Sequence, residues 1–295
     1  MTNIILTGGS GFLGSFFRNE LIAYNIITVG RNNSNIECDL TGLVPSLPKA
    51  DLVIHCAGKA HAHPKTIRDE EDFFLQNVNG TRNLLSALEA NLPRSFVFIS
   101  SVAVYGKELG VFISEETALD ATDPYGKSKI MAEQIVTEWC LKHQVICAIL
   151  RLPLIAGPNP PGNLGSMIKG IKIGYYLNIE GGKARKSIVL ATDVVNITLK
   201  AAVIGGIFNL TDGYHPSFLE LSQNIAGQLG KKTPINIPKF LAVVFAFFGD
   251  ILGNSAPINT KKVRKIMSDL TFDDNHARQL LGWRPKAVLE YFFIK

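Results

Sequence analysis

The sequence predicts an α/β fold, a doubly wound parallel sheet followed by a smaller C-terminal unit, on three observations. Short apolar strands alternate with helical patterns through the first half of the chain. A glycine-rich loop stands between the first strand and the first helix. After residue 152 the alternation breaks at a stretch rich in Pro and Gly. Alternation of this kind joins parallel strands, which need crossover connections and bury both faces of their sheet.

The first strand is expected over Asn3–Leu6, followed by Thr7–Gly14 and a helical pattern to about Ala23. Gly8, Gly11 and Gly14 give G-x-x-G-x-x-G at a strand-to-helix junction. That is the context in which glycines let the backbone approach a pyrophosphate and a helix N-terminus meets its charge. A Rossmann-type sheet is therefore expected, with ligands at the carboxyl ends of its strands. The second strand, Ile26–Val29, ends in Gly30-Arg31 with no acidic side chain. A guanidinium there suits a 2′-phosphate, which favours NADP(H) and leaves NAD(H) open. Asp39, next to Leu40, is placed to accept from an adenine amino group. A strand over Leu52–His55 ends in Ala57-Gly58, small enough for a cofactor to pass. His61 stands in the loop beyond it, facing either substrate or solvent. A helix holding Asn77–Thr81 runs to about Ala90, and a strand over Ser95–Ile99 leads to Ser100-Ser101.

Tyr125 and Lys129 then stand four residues apart, just after Pro124, and share a helix face. A nearby cation lowers a phenol's pKa, which fits such a pair for moving a proton to or from a hydroxyl.

The strand Val145–Arg151 closes the regular half. Pro153–Asn163 reads as a loop, Met167–Ile173 as a short helix, and Gly181–Ser187 as a basic turn before a strand over Ile188–Leu190. A helix over Asp193–Val203 and a strand over Gly206–Leu210 return to the sheet. Ser217 and Glu220 form a capping box opening a helix that ends near Gly230. Three further helices are expected: Phe240–Gly253, Lys261–Met267 and Asp274–Leu281. The division is thus 1–152, with 188–212 returning to it, and 153–187 with 213–295 as a second, substrate-binding unit.

Composition narrows the classes. Of 295 residues, 46% are hydrophobic and 19% charged, which excludes disorder. The net charge of +5 comes with no dense nucleic-acid-binding block. Cys38, Cys56, Cys140 and Cys147 have neither metal-ligand nor C-x-x-C spacing, so reduced thiols, no metal and a cytoplasmic location are expected. Met1 leads straight into a strand, without the pattern of a signal peptide. The apolar run Phe240–Phe248 is far below the roughly 20 residues that span a bilayer. It reads as a buried helix, with peripheral membrane contact as the alternative.

Taken together, TGGSGFLG at 7–14, DL at 39–40, HCAG at 55–58, NVNGT at 77–81, SSVAVYG at 100–106 and PYGKSK at 124–129 resemble the extended short-chain dehydrogenase/reductase family. LRLPLIAGP at 150–158 and LGWRP at 281–285 extend the resemblance over nearly the whole chain. It implies a catalytic triad of Ser101, Tyr125 and Lys129, with Lys129 lowering the Tyr125 pKa. It implies a dinucleotide held by Gly8, Ser10, Gly11, Phe12, Leu13, Gly14, Arg31, Asp39, Leu40, Ala57, Gly58 and Asn79, together with Tyr125 and Lys129. It implies a UDP-linked sugar near Arg185, Lys186, Asn163 and Arg264, with Tyr105 as a pocket wall, and a homodimer.

Dehydratases of this family carry an Asp-Glu pair after the active-site Ser/Thr. Here Val102 and Ala103 follow Ser101, which argues against elimination. The expectation is reduction of a 4-keto-hexosamine, with 4-epimerisation as the alternative and an NADP-sensing regulator as the third reading. Regulators on this fold generally lack the Tyr/Lys pair.

Overall fold

The computed structural model describes residues 2–60, 64–251 and 260–294. His61 and the end of the apolar run at 252–253 lie outside the described residues. The chain opens with β1 (Asn3–Thr7), α1 (Phe12–Glu20), β2 (Asn25–Gly30), β3 (Ile36–Glu37) and β4 (Leu52–His55). One helical run follows: α2 (Ile67–Phe74), a π-helical turn (Leu75–Asn79) and α3 (Gly80–Leu88). Then come β5 (Ser95–Ser101), β6 (Gly110–Ile113), α4 (Pro124–His143), β7 (Ile146–Leu152), β8 (Leu154–Ala156), α5 (Gly162–Ile173) and β9 (Asn178–Ile179). The next are β10 (Ile188–Leu190), α6 (Ala191–Ile204), β11 (Gly206–Asn209), α7 (Phe218–Gln228) and β12 (Asn236–Ile237). The last are α8 (Lys239–Ile251), α9 (Thr260–Met267), β13 (Leu270–Phe272), α10 (Asn275–Leu281) and α11 (Val288–Tyr291).

Seven parallel strands form the main sheet in the order β11-β7-β5-β4-β1-β2-β3. The chain leaves β1 toward β2 and later returns to its other side as β4. That reversal opens a crevice at the carboxyl ends of β1 and β4, where ligands of such sheets bind. Burial on both faces explains the unbroken apolar strands. Ile4 and Leu6 join one core cluster with α1 and α6, while Ile5 joins another with α3 and α4. The two tryptophans divide likewise, Trp283 in the first cluster and Trp139 in the second.

The C-terminal elements pack separately around Leu164, Met167, Leu221, Ile225 and Val288. Three short parallel pairs, β8 with β10, β9 with β12 and β6 with β13, tie the connections together.

Three expectations change. The stretch 153–163 is not all loop, because β8 lies within it. The short helix begins at Gly162, as soon as the extended Pro161 ends the Pro-rich segment, and not at Met167. The segment 213–295 does not act as one unit. Ala277, Leu281 and Trp283 join the sheet's own core, because α10 packs its apolar side on α6 and β11.

Candidate active site

Two glycines of the loop have no room for a side chain. Gly8 adopts φ +70°, and a Cβ on it would stand 2.7 Å from the Ala57 amide nitrogen. A Cβ on Gly14 would stand 2.1 Å from the Gly8 carbonyl oxygen. The Gly11 amide donates to that carbonyl at 2.9 Å. Gly11 also caps α1 with no side chain bonded to the first turn, so backbone donors there remain for an anion. Ser10 and Gly11 are exposed at the tip, Leu13 is buried in the core, and Phe12 packs against Phe16 at 5.4 Å. A loop tightened against Ala57, with free helix N–H groups, is a cradle that fits a dinucleotide.

At the end of β2, Arg31 is exposed. Asp39 accepts from the Thr41 amide at 3.0 Å and its hydroxyl at 2.9 Å, and these bonds hold its carboxyl below the usual range. Arg31 adds to that lowering. Leu40 is buried beneath them.

Local sequence sets the start of α4. Asp123 caps it by accepting from the Gly126 amide at 3.0 Å, and Pro124 occupies the first turn. This places Tyr125 and Lys129 one turn apart, opposite Ser101 at the end of β5. The Ser101 hydroxyl accepts from the Ala103 amide at 3.2 Å and stands near enough to the Tyr125 phenol to lower its pKa. Burial raises the Tyr125 pKa above its ordinary value, and Ser101 opposes the rise.

Lys129 takes a different course from the one expected. Its ammonium donates to the Ile99 carbonyl at 2.7 Å and lies 3.9 Å from the Phe98 ring centroid. Burial pushes it down to about 8, with the Glu133 carboxylate opposing. Burial and Asp123 raise the phenol and Ser101 lowers it, while the Lys129 ammonium is bonded to the Ile99 carbonyl on β5.

A neutral network supports the crevice. The Ala57 amide donates to Thr7 Oγ1 at 3.1 Å, and Thr7 Oγ1 meets His55 Nδ1 at 2.6 Å. His55 Nε2 meets Thr81 Oγ1 at 2.9 Å, and that hydroxyl donates to the Asn77 carbonyl at 2.6 Å. Thr81 must therefore accept from His55, which puts the imidazole proton on Nε2 and leaves Nδ1 to accept from Thr7. Burial drives the His55 pKa down to about 3, so the ring stays neutral. Asn77 accepts from the Lys59 amide at 2.7 Å and donates to Ser128 Oγ at 2.8 Å. Ser128 donates in turn to the Tyr125 carbonyl at 2.7 Å. Asn79, expected near this backbone, is exposed instead. The π turn over 75–79 puts Asn77 on the inner face and Asn79 on the outer.

A second network is charged. Glu133 takes two bonds from Arg151, Nε at 3.1 Å and Nη2 at 2.7 Å, and one from Ser100 Oγ at 2.5 Å. Arg151 also donates to Tyr105 Oη at 3.0 Å, and Tyr105 donates to Asn209 Oδ1 at 2.8 Å. Tyr105 is fully buried, so it is no pocket wall; its phenol finds a partner on β11. Sequence reasoning missed this network, although Glu133 stands at the helical spacing from Lys129 that puts both on one face.

Arg185 and Lys186, adjacent cations of the basic turn, part ways. Arg185 keeps a side chain 45% exposed, lies 3.7 Å from Glu220 and donates to the His215 carbonyl at 3.0 Å. Lys186 instead donates to the Lys265 and Ser268 carbonyls at 3.0 and 2.8 Å, ending α9, and burial pushes it down to about 8. Its ammonium is thus committed to the fold, not displayed to a phosphate. Asn163 and Arg264 are exposed, on α5 and α9, and nothing in the structure brings them to Ser101 and Tyr125. Two depressions of ≈ 430 and ≈ 330 Å³ lie around Lys183–Asp269 and His215–Arg278, and neither is lined by the triad or the glycine loop.

The profile of the NAD dependent epimerase/dehydratase family matches residues 4–210. The chain is 28% identical to the N-acetyl-alpha-D-glucosaminyl-diphospho-ditrans,octacis-undecaprenol 4-epimerase of Escherichia coli O157:H7, over 92% of this chain and 87% of that protein. It is 30% identical to the UDP-glucose 4-epimerase of Bacillus subtilis, over 97% and 93%. Among solved structures, the UDP-glucose 4-epimerase of Thermotoga maritima with UDP-glucose superposes with a TM-score of 0.78 at 23% identity, covering 98% of this chain and 95% of that one.

Proposed function

The chain belongs to the NAD dependent epimerase/dehydratase family, and from that premise we propose that it transfers a hydride at C4 of a hexose carried on a nucleoside diphosphate, UDP being favoured. The observation that carries this reading is the meeting of Ser101, Tyr125 and Lys129 beside a glycine loop in which Gly8 and Gly14 leave no room for a Cβ. A nicotinamide dinucleotide held along Gly8–Gly14, Arg31, Asp39, Ala57 and Gly58 supplies the hydride acceptor and donor. Tyr125 gives or takes the proton on the sugar oxygen, and Ser101 hydrogen-bonds the phenol and orients it. The raised phenol is protonated at neutral pH, which suits it to donate when a ketone is reduced. Lys129 keeps a cation beneath the site and fixes the strand that ends in Ser101. Arg185, an exposed cation of the basic turn, is proposed to meet the diphosphate.

Epimerisation without net redox change is our first reading, supported by the similarity to 4-epimerases along most of both chains. Net reduction of a 4-keto sugar is the second, favoured by Arg31 at the end of β2, which suits NADP(H). Val102 and Ala103, in place of an acid pair, argue against elimination. The test is incubation with UDP-hexoses and UDP-N-acetylhexosamines while nicotinamide absorbance is followed. Interconversion of C4 epimers with no net absorbance change is expected; steady NADPH loss with a 4-keto sugar supports the second reading. Tyr125→Phe is expected to lower kcat by about 10²–10⁴-fold while dinucleotide binding persists. An unchanged kcat in that variant overturns both.

A further inference from the structure

Helix α8 is apolar on both sides. Ala242 and Ala246, on one side, are 0% and 1% exposed and pack with Ile179 and Val263. Phe240, Val243 and Val244, on the other, are 66%, 46% and 47% exposed. Two more apolar side chains stand beside its start: Ile235 is 71% exposed and Leu177 is 42% exposed. They are joined across the β9–β12 pair by the Asn178 amide, which donates to the Ile235 carbonyl at 2.9 Å. A helix that only served the core would be polar outside. Large apolar side chains gathered on one surface mark a contact site.

The charge around this face names the contact. Between Glu220 and Asp269 the sequence carries Lys231, Lys232, Lys239, Lys261, Lys262, Arg264 and Lys265 against a single acid, Asp250, although the whole chain has a net charge of only +5; of these cations Lys265 pairs with Glu108 at 3.2 Å. Asp250 is itself engaged, accepting from the Thr260 amide at 3.1 Å and from its hydroxyl. A second copy of the chain would bring the same excess of cations, so self-pairing here is opposed by like charge. An apolar helix face in a stretch of chain rich in cations matches the layered chemistry of an anionic bilayer surface, apolar beneath and negative above. Among the described residues no helix is long and apolar enough to cross a membrane.

We propose that α8, with the Leu177–Ile235 edge beside it, seats this protein on an anionic phospholipid surface. Phe240, Val243 and Val244 enter the acyl boundary, and Lys231, Lys232 and Lys239 meet the headgroups. The docked face belongs to the same lobe as Arg185, since Lys186 next to it clamps the end of α9, which packs on α8. The inference goes beyond the C4 chemistry and does not depend on it.

The test is sedimentation of the full chain with vesicles of phosphatidylcholine alone and of equimolar phosphatidylcholine and phosphatidylglycerol. Binding to the mixed vesicles only is expected. It should fall at least about tenfold in the combined variant Lys231→Glu/Lys232→Glu/Lys239→Glu and equally in Phe240→Glu/Val244→Glu. Ile22→Glu, at a site 80% exposed elsewhere, should bind as the parent does. Val244→Trp, which keeps the face apolar, should show a blue-shifted emission with the mixed vesicles. Failure to sediment with the mixed vesicles, or an equal loss in Ile22→Glu, overturns the proposal. So does a dimer in solution that Phe240→Glu separates.

Discussion

Lys129 and Lys186 each run from their own element to a backbone carbonyl, and burial pushes both ammonium groups down to about 8. Lys129 ends on Ile99, two residues before Ser101 on the same strand, beneath the phenol of Tyr125. Lys186 ends on Lys265 and Ser268, the last carbonyls of α9, which a helix leaves without partners of its own. A lowered lysine pKa therefore does not mark a reacting group by itself. What separates the two is the carbonyl each one holds: a strand end that carries Ser101 in one case, a helix end in the other.

The largest test of that contrast is activity. Lys129→Met should lower kcat by about 10²-fold or more, whereas Lys186→Met should leave kcat within a few-fold, as steady-state assays of both would read. Comparable losses would break the comparison. Stability sharpens it next. Lys129 has the buried Glu133–Arg151 pair one turn away, and Lys186 has none. Glu133→Leu strands the Arg151 guanidinium and should cost about 3–5 kcal/mol in urea unfolding, while Glu133→Leu/Arg151→Met should regain most of it. A smaller effect is expected from Lys186→Met, about 1–2 kcal/mol for lost bonds to buried carbonyls, with faster amide exchange in α9.

The smallest effect is one of pH, and both lysines share its sign. A lysine held near 8 in the folded chain and near 10.4 in the unfolded one binds its proton more tightly when unfolded. Below about pH 8 both states are protonated, and the full penalty of burying the charge is present. Between about 8 and 10.4 that penalty is relieved, so the parent should gain stability relative to Lys129→Met as pH rises through this window. The gain should be weaker against Lys186→Met, whose site is wetter.

Much of the sheet, and the placing of Tyr125 and Lys129 on one helix, was legible because it rests on local signals. The glycine spacing reports a contact within one loop, and Asp123-Pro124 ahead of Tyr125 reports a helix start. Errors arose where the deciding partner is distant or the helix irregular. Asn79 was what the resemblance implied, and the π turn makes Asn77 the side chain that faces inward. Tyr105 was read as a wall because Asn209, its partner, lies on the far strand β11. Lys186 was assigned to phosphate since the carbonyls it holds belong to α9. Glu133 was within reach of sequence reasoning, as an acid one turn beyond Lys129. Its Arg151 partner required knowing that β7 lies beside β5.

Trp139 and Trp283 are the chain's two tryptophans, and they sit in the clusters on opposite faces of the seven-stranded sheet. Indole emission is thereby a gauge of the sheet alone. Melting of α8 and α9 would leave it unmoved while far-ultraviolet circular dichroism recorded the lost helix. Denaturation curves from the two signals should coincide if the molecule unfolds as one unit, and part if the C-terminal lobe melts first.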